Sequence, residues 1–189
     1  MNLPNKLTLI RIFLIPVFGA LFYLTIVPYN FAISAGVFAL AAFTDFLDGY
    51  IARKYNLVTD MGKFLDPIAD KVLVSTALIL ILVPPTGVAM LPWYAGIMTA
   101  VILARELVVS GFRLVAAGKG MVIAADKSGK IKTFLTDVAI VFILISAEIT
   151  PCALDLTNYI GTALLVLCTL ITVYSGVECI VKNKKVIKD

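Results

Sequence analysis

The chain contains no histidine. That removes the commonest general base and the commonest zinc ligand. Its three cysteines, Cys152, Cys168 and Cys179, show no metal-ligand spacing and read as packed thiols. No linker, low-complexity tract or repeat interrupts the 189 residues, so they have room for one domain, 1–189. The first apolar run lacks a small-residue cleavage site and is expected to be retained rather than removed as a signal peptide. Charge is sparse, at 15% of residues, while 61% are hydrophobic. Soluble domains sit nearer about 45–50% apolar. The mean hydropathy of +1.02 therefore points to an integral membrane protein.

A membrane-spanning helix needs about 20 mostly apolar residues. Six runs qualify, roughly 7–27, 31–53, 64–83, 93–116, 131–149 and 158–181. The expected fold is an all-α integral membrane protein with six transmembrane helices.

Positive charge orients it. All 16 lysines and arginines lie in four groups: near Lys6 and Arg11, around Arg53 to Lys71, from Arg105 to Lys132, and in the tail from Lys182. The alternate connections, near Pro28, Pro84 and Pro151, have none. Cytoplasmic loops carry the excess of lysine and arginine. Both termini are thus expected in the cytoplasm, with the protein multi-pass in the cell (cytoplasmic) membrane. The net charge of +4 follows from this fringe, which suits anionic lipid head groups; nucleic acid is not an expected partner.

Against this apolar background stands Asp45-x-x-Asp48-Gly49-x-x-Ala52-Arg53, followed by Gly62-x-x-x-Asp66-x-x-x-Asp70. Asp45, Asp48 and Gly49 share one helix face, and Asp66 and Asp70 are four apart on the next helix. A short loop should make these two helices antiparallel neighbours, with two carboxylate pairs facing each other. Four close carboxylates cannot all stay ionised without cations. Lysine or arginine pairing is one solution. Divalent metal is the preferred one: oxygen-only donors suit magnesium or manganese, with two ions balancing four charges. Gly49 and Gly62 leave room for a bulky anion, and Arg53 offers a fork for phosphate oxygens. Together these residues suggest phosphoryl chemistry on a diphosphate, in which positioning and charge neutralisation dominate.

The pattern D-x2-D-G-x2-A-R-x8-G-x3-D-x3-D resembles the signature of the CDP-alcohol phosphotransferase family of membrane enzymes, matching at all eight defining positions. The resemblance implies transfer of a phosphatidyl group from CDP-diacylglycerol to an alcohol, with release of CMP. It implies that Asp45, Asp48 and Asp66 are metal ligands, and that Asp70 lies at the metal site and serves as general base. Gly49, Arg53, Thr59 and Gly62 correspond to nucleotide-contacting positions. Asn5 and Thr8 resemble a segment that closes over the nucleotide. A homodimer is also implied.

The second half bears on the acceptor. Arg105 sits some eleven residues inside its span, or ~16 Å. An arginine that deep faces a cavity or a partner. Pairing with adjacent Glu106 is disfavoured, because adjacent residues diverge on a helix; Asp137 is another candidate. Arg113 follows on roughly the same face, and Lys130 and Lys132 open the fifth span. This basic set suggests an acceptor that itself carries phosphate. Leu3 to Thr8, Ala104 to Leu107, Gly111 to Leu114, Gly129 to Thr133 and Ser175 to Glu178 resemble the branch of the family that takes glycerol 3-phosphate. Thr136 departs from the glutamine expected there, and Asp137 adds a negative charge. Rival readings are a family member taking inositol phosphate or another alcohol, an intramembrane prenyltransferase, and a divalent-cation transporter.

Overall fold

The computed structural model describes residues 3–55, 60–87, 89–119, 121, 127–149 and 154–184. Among them there are only helices and their connections: α1 (Leu3–Tyr23), α2 (Asn30–Lys54), α3 (Asp60–Leu82), α4 (Ala95–Gly118), α5 (Lys127–Ile149) and α6 (Leu154–Lys182). Each follows one of the six apolar runs, with ends displaced by up to about four residues, within the usual uncertainty of helix boundaries read from sequence.

Among the described residues, three segments are long and apolar enough to cross a membrane: Asn5–Tyr23, Ala95–Gly118 and Tyr159–Lys182. The apolar part of α2 is shorter, Asn30–Asp45. α3 and α5 are of similar length, 23 residues each. Both begin with charged residues, which dilutes their hydropathy. The same charges gather the polar site at one end of the bundle. Large apolar side chains such as Phe13, Leu107, Leu114, Phe134 and Leu170 are exposed, as expected of surfaces that face lipid. Trp93 and Tyr94 precede α4 and are exposed, in the manner of interfacial aromatic belts. These features make the protein a membrane protein.

The helices form a ring. α1 packs against α2 and α3, α2 against α5, and α6 against both α4 and α5; α3 closes the ring with lighter contacts to α4 and α5. The core along α1 and α2 is aromatic. Phe18 stacks on Phe38 at 5.9 Å between ring centroids, and Phe22 on Phe31 at 5.2 Å. All four rings are buried.

Among the described residues α2 and α3 are in contact, as expected, and each also packs against α1. The aspartates of α2 and α3 are therefore tied to α1 as well as set near each other.

At the opposite end of the bundle, Tyr29 takes a left-handed conformation, φ 61°, just before α2. The Asn30 side-chain amide donates to the Phe22 carbonyl at 2.9 Å, and the Phe31 amide donates to Glu148 Oε2 at 3.1 Å. A carboxylate at a helix N-terminus satisfies an orphan donor and suits the helix dipole. These bonds tie the start of α2 to α1 and α5.

Candidate active site

Arg11 of α1 is fully buried, whereas the side chain of its partner Asp45 is 40% exposed. Arg11 Nη1 donates to Asp45 Oδ1 at 2.5 Å, and Nε donates to the Ala41 carbonyl at 3.3 Å. One turn earlier on α1, the buried Thr8 hydroxyl donates to Asp66 Oδ1 at 2.6 Å. α1 thus holds one carboxylate from α2 and one from α3. Asn5 is also buried, a turn before Thr8.

Asp45 feels the negative charge of Asp66, and Asp70 feels that of Asp45; Arg11 and Lys71 act on both in the opposite sense. The carboxylates of α2 and α3 therefore form one electrostatic cluster. Asp137 of α5 adds its charge to it, opposed by Lys132. Asp137 Oδ1 is buried with no hydrogen-bond partner among the described residues.

Gly49 is half-buried on α2, and Gly62 is buried on α3. The side chains of Asp48 and Arg53, and all of Thr59, lie outside the described residues. Among the described residues, no three acidic or sulfur-bearing side chains are grouped to hold a metal. The donors here are oxygen only, the chemistry that suits magnesium or manganese rather than softer metals.

Beside the aspartates a cleft opens between α3, α4 and α5. Asp70, Lys71 and Ser75 line it from α3, Glu106 from α4, and Lys132 and Thr136 from α5. Its free volume is about 10 Å³, room for roughly one water molecule. Glu106 Oε1 accepts from Lys132 Nζ at 2.5 Å and from Arg105 Nη1 at 2.9 Å. Arg105 Nη2 also donates to Ser175 Oγ on α6 at 2.9 Å. Lys132 is nearly fully buried, with 4% of its side chain exposed.

The pairing of Arg105 with Glu106 corrects the sequence reading. The two side chains do diverge at their roots, but both are long enough to curve back. Lys132 fixes the carboxylate from the other side, so Arg105 reaches a group already held in place.

Of the four basic residues expected together, the structure brings Lys132 to the wall shared with Asp70 and joins Arg105 to it through Glu106. Lys130 is exposed and is not among the described residues lining the cleft. Arg113 is half-buried, and its Nε has no partner among the described residues. Sequence reasoning missed the hold of Arg11 on Asp45. The signal was present: an arginine inside an apolar run needs a partner, the argument already applied to Arg105.

An all-helical membrane protein with acidic side chains drawn from adjoining helices, beside a cleft with a buried lysine, has the parts of an enzyme acting on a charged group at a membrane. The chain belongs to the CDP-alcohol phosphatidyltransferase family, whose model matches residues 1–174. It is 41% identical over 198 aligned positions to the CDP-diacylglycerol–glycerol-3-phosphate 3-phosphatidyltransferase of Bacillus subtilis (strain 168), with 99% of this chain and 97% of that protein covered. The protein of the same name from Escherichia coli (strain K12) is 36% identical over 179 positions, covering 94% of this chain and 92% of the relative.

Proposed function

We propose that this protein transfers the phosphatidyl group of CDP-diacylglycerol to the sn-1 hydroxyl of glycerol 3-phosphate, giving phosphatidylglycerophosphate and CMP. The observation that carries this reading is the cleft in which Asp70, the last aspartate of the signature, shares a wall with the buried Lys132. A carboxylate suited to take a proton there meets a cation suited to hold a phosphate. The names of relatives aligned over nearly the whole chain supply the substrates.

In this reading Asp45, Asp48, Asp66 and Asp70 would hold two magnesium or manganese ions, which would neutralise the charge on the diphosphate. Asn5, Thr8, Gly49, Arg53, Thr59 and Gly62 receive CDP-diacylglycerol, whose acyl chains stay in lipid. Arg105, Arg113, Lys130 and Lys132 receive glycerol 3-phosphate. Asp70 accepts the proton of the sn-1 hydroxyl. The freed oxygen bonds to the phosphorus that bears diacylglycerol, the bond from that phosphorus to the bridging oxygen breaks, and CMP leaves with that oxygen.

Arg11 and Thr8 set the carboxylates of Asp45 and Asp66 before substrate arrives, so less ordering remains to be done in the reaction. The cleft, with space for about one water, must widen to admit glycerol 3-phosphate.

Six spans, cytoplasmic termini, a site open to the cytoplasm, a single domain and a homodimer complete the proposal; the spans rest on the six apolar runs, and the termini and the facing of the site on the lysine and arginine distribution. The test is a reaction of purified protein with CDP-diacylglycerol, magnesium and a panel of alcohols, read as CMP release. Glycerol 3-phosphate should be the preferred acceptor. Preference for inositol phosphate or an unphosphorylated alcohol would overturn the acceptor assignment. No CMP release with any alcohol would overturn the reaction.

A further inference from the structure

Arg105 leaves α4 toward α6, and what it meets there is a glycine. A Cβ placed at Gly176 would stand 2.9 Å from Arg105 Cγ, 3.2 Å from its Nε and 3.6 Å from its Cδ. The three nearest atoms all belong to Arg105. Among the described glycines this is the closest approach; Gly96, Gly111, Gly118 and Gly129 have nothing within 4 Å. Gly176 also lies past residue 174, where the family match ends.

Cγ belongs to the root of the arginine side chain. A methyl group at 176 would therefore displace the whole stem, where a clash with the tip would shift only the tip. The guanidinium at its end is held in two places, by Ser175 Oγ at 2.9 Å and by Glu106 Oε1 at 2.9 Å. Glu106 is the same carboxylate that holds Lys132. Moving the stem breaks the chain of contacts from α6 through Arg105 and Glu106 to the lysine of the cleft.

We propose that Gly176 is a positioning residue: its bare backbone lets the Arg105 stem lie against α6, which sets the guanidinium on Glu106 beside Lys132 and so prepares this basic pair for the phosphate of the acceptor. The inference rests on the acceptor reading above. It adds to that reading a specificity device in the last helix, which packs against α4 and α5. Ser175, the adjacent residue, steadies the same guanidinium.

The test is a double-mutant cycle of Gly176→Ala with Arg105→Ala. It is read by KM for each substrate and by calorimetric binding of glycerol 3-phosphate without CDP-diacylglycerol. Gly176→Ala should weaken glycerol 3-phosphate about tenfold in both readouts, the worth of one charge-assisted contact, and leave KM for CDP-diacylglycerol within about twofold. In the Arg105→Ala background the same substitution should add less than about twofold, since the side chain it displaces is gone.

Equal effects in both backgrounds would mean that Gly176 serves general helix packing, and the proposal would fall. If Gly176→Ala does not fold, Ser175→Ala takes its place with a smaller shift in the same direction; unchanged acceptor binding in that variant overturns the proposal. Arg105→Ala with full acceptor affinity would sink the acceptor site and this inference together. A weakened Arg105→Ala beside an unweakened Gly176→Ala would sink the inference alone.

Discussion

Replacing Arg11 with leucine should destabilise the bundle by about 2–3 kcal/mol. Arg11 makes a charge-assisted hydrogen bond to Asp45 and a second bond to the Ala41 carbonyl. Bonds of the first kind contribute about 1.5–3 kcal/mol and of the second about 0.5–1.5. Removing one partner of a fully buried pair costs about 3–5 kcal/mol, because the other charge is stranded. Here Arg11 is fully enclosed but Asp45 keeps 40% of its side chain exposed. Water can therefore relieve the stranded carboxylate, which moves the figure below that range. The Ala41 carbonyl also retains the Thr44 hydroxyl at 2.7 Å. Leucine keeps most of the stem's apolar packing, so the loss reports mainly the polar contacts. The measurement is equilibrium unfolding in mixed detergent micelles. Arg11→Lys should recover about half of the loss, since the point-like ammonium lacks the fork by which Nε and Nη1 reach the two acceptors separately. An Arg11→Leu protein within about 0.5 kcal/mol of the parent, well under one such contact, would refute the reasoning.

Four further outcomes are expected. Asp70→Asn should lower kcat roughly 10²–10⁴-fold, the usual worth of a general base; CMP release at the parent rate would remove that role. Dialysis against a chelator should abolish CMP release, and magnesium or manganese should each restore it; activity that survives chelation would dispose of the ion requirement. A phosphatase reporter fused after Asp189 should stay inactive, as a cytoplasmic C-terminus demands; activity outside the cell would invert the topology. Glu148→Ala removes the acceptor for the Phe31 amide and should cost about 0.5–1 kcal/mol of stability without altering KM for either substrate; a change in KM would mean that this end of the bundle reports to the site.

All six helices were legible in the sequence because each is a long apolar run, a signal that survives without any knowledge of packing. The pattern of Asp45, Asp48, Asp66 and Asp70 was legible for a different reason: charge in an apolar chain is expensive, so its spacing carries meaning. What the sequence could not show was which helices lie side by side. Asp45 is within electrostatic reach of Asp66 on α3 and is also held by Arg11, 34 positions away on α1, a partner the sequence did not name. Helical spacing argued against an Arg105–Glu106 contact because it describes where side chains begin. Lys132, 26 positions on, decides where they end. Gly176 stood out only as part of the Ser175 to Glu178 resemblance, and its purpose was not readable, since a glycine in an apolar helix looks the same whether it faces lipid, backbone or an arginine stem.

The hold of Arg11 on Asp45 has a consequence for how the chain enters the membrane. α1 is made first and carries Arg11 eight residues past its start, ~12 Å along the helix axis. Until α2 emerges, that guanidinium lacks Asp45, and a lone arginine at the centre of a span costs about 2.5–3.5 kcal/mol on the insertion scale. Asp45 has the same difficulty in reverse. Each helix enters lipid more readily with the other beside it, so α1 and α2 are suited to insert as a pair. The first polar contact of the future reaction centre can then form before α3, with Asp66 and Asp70, has left the ribosome.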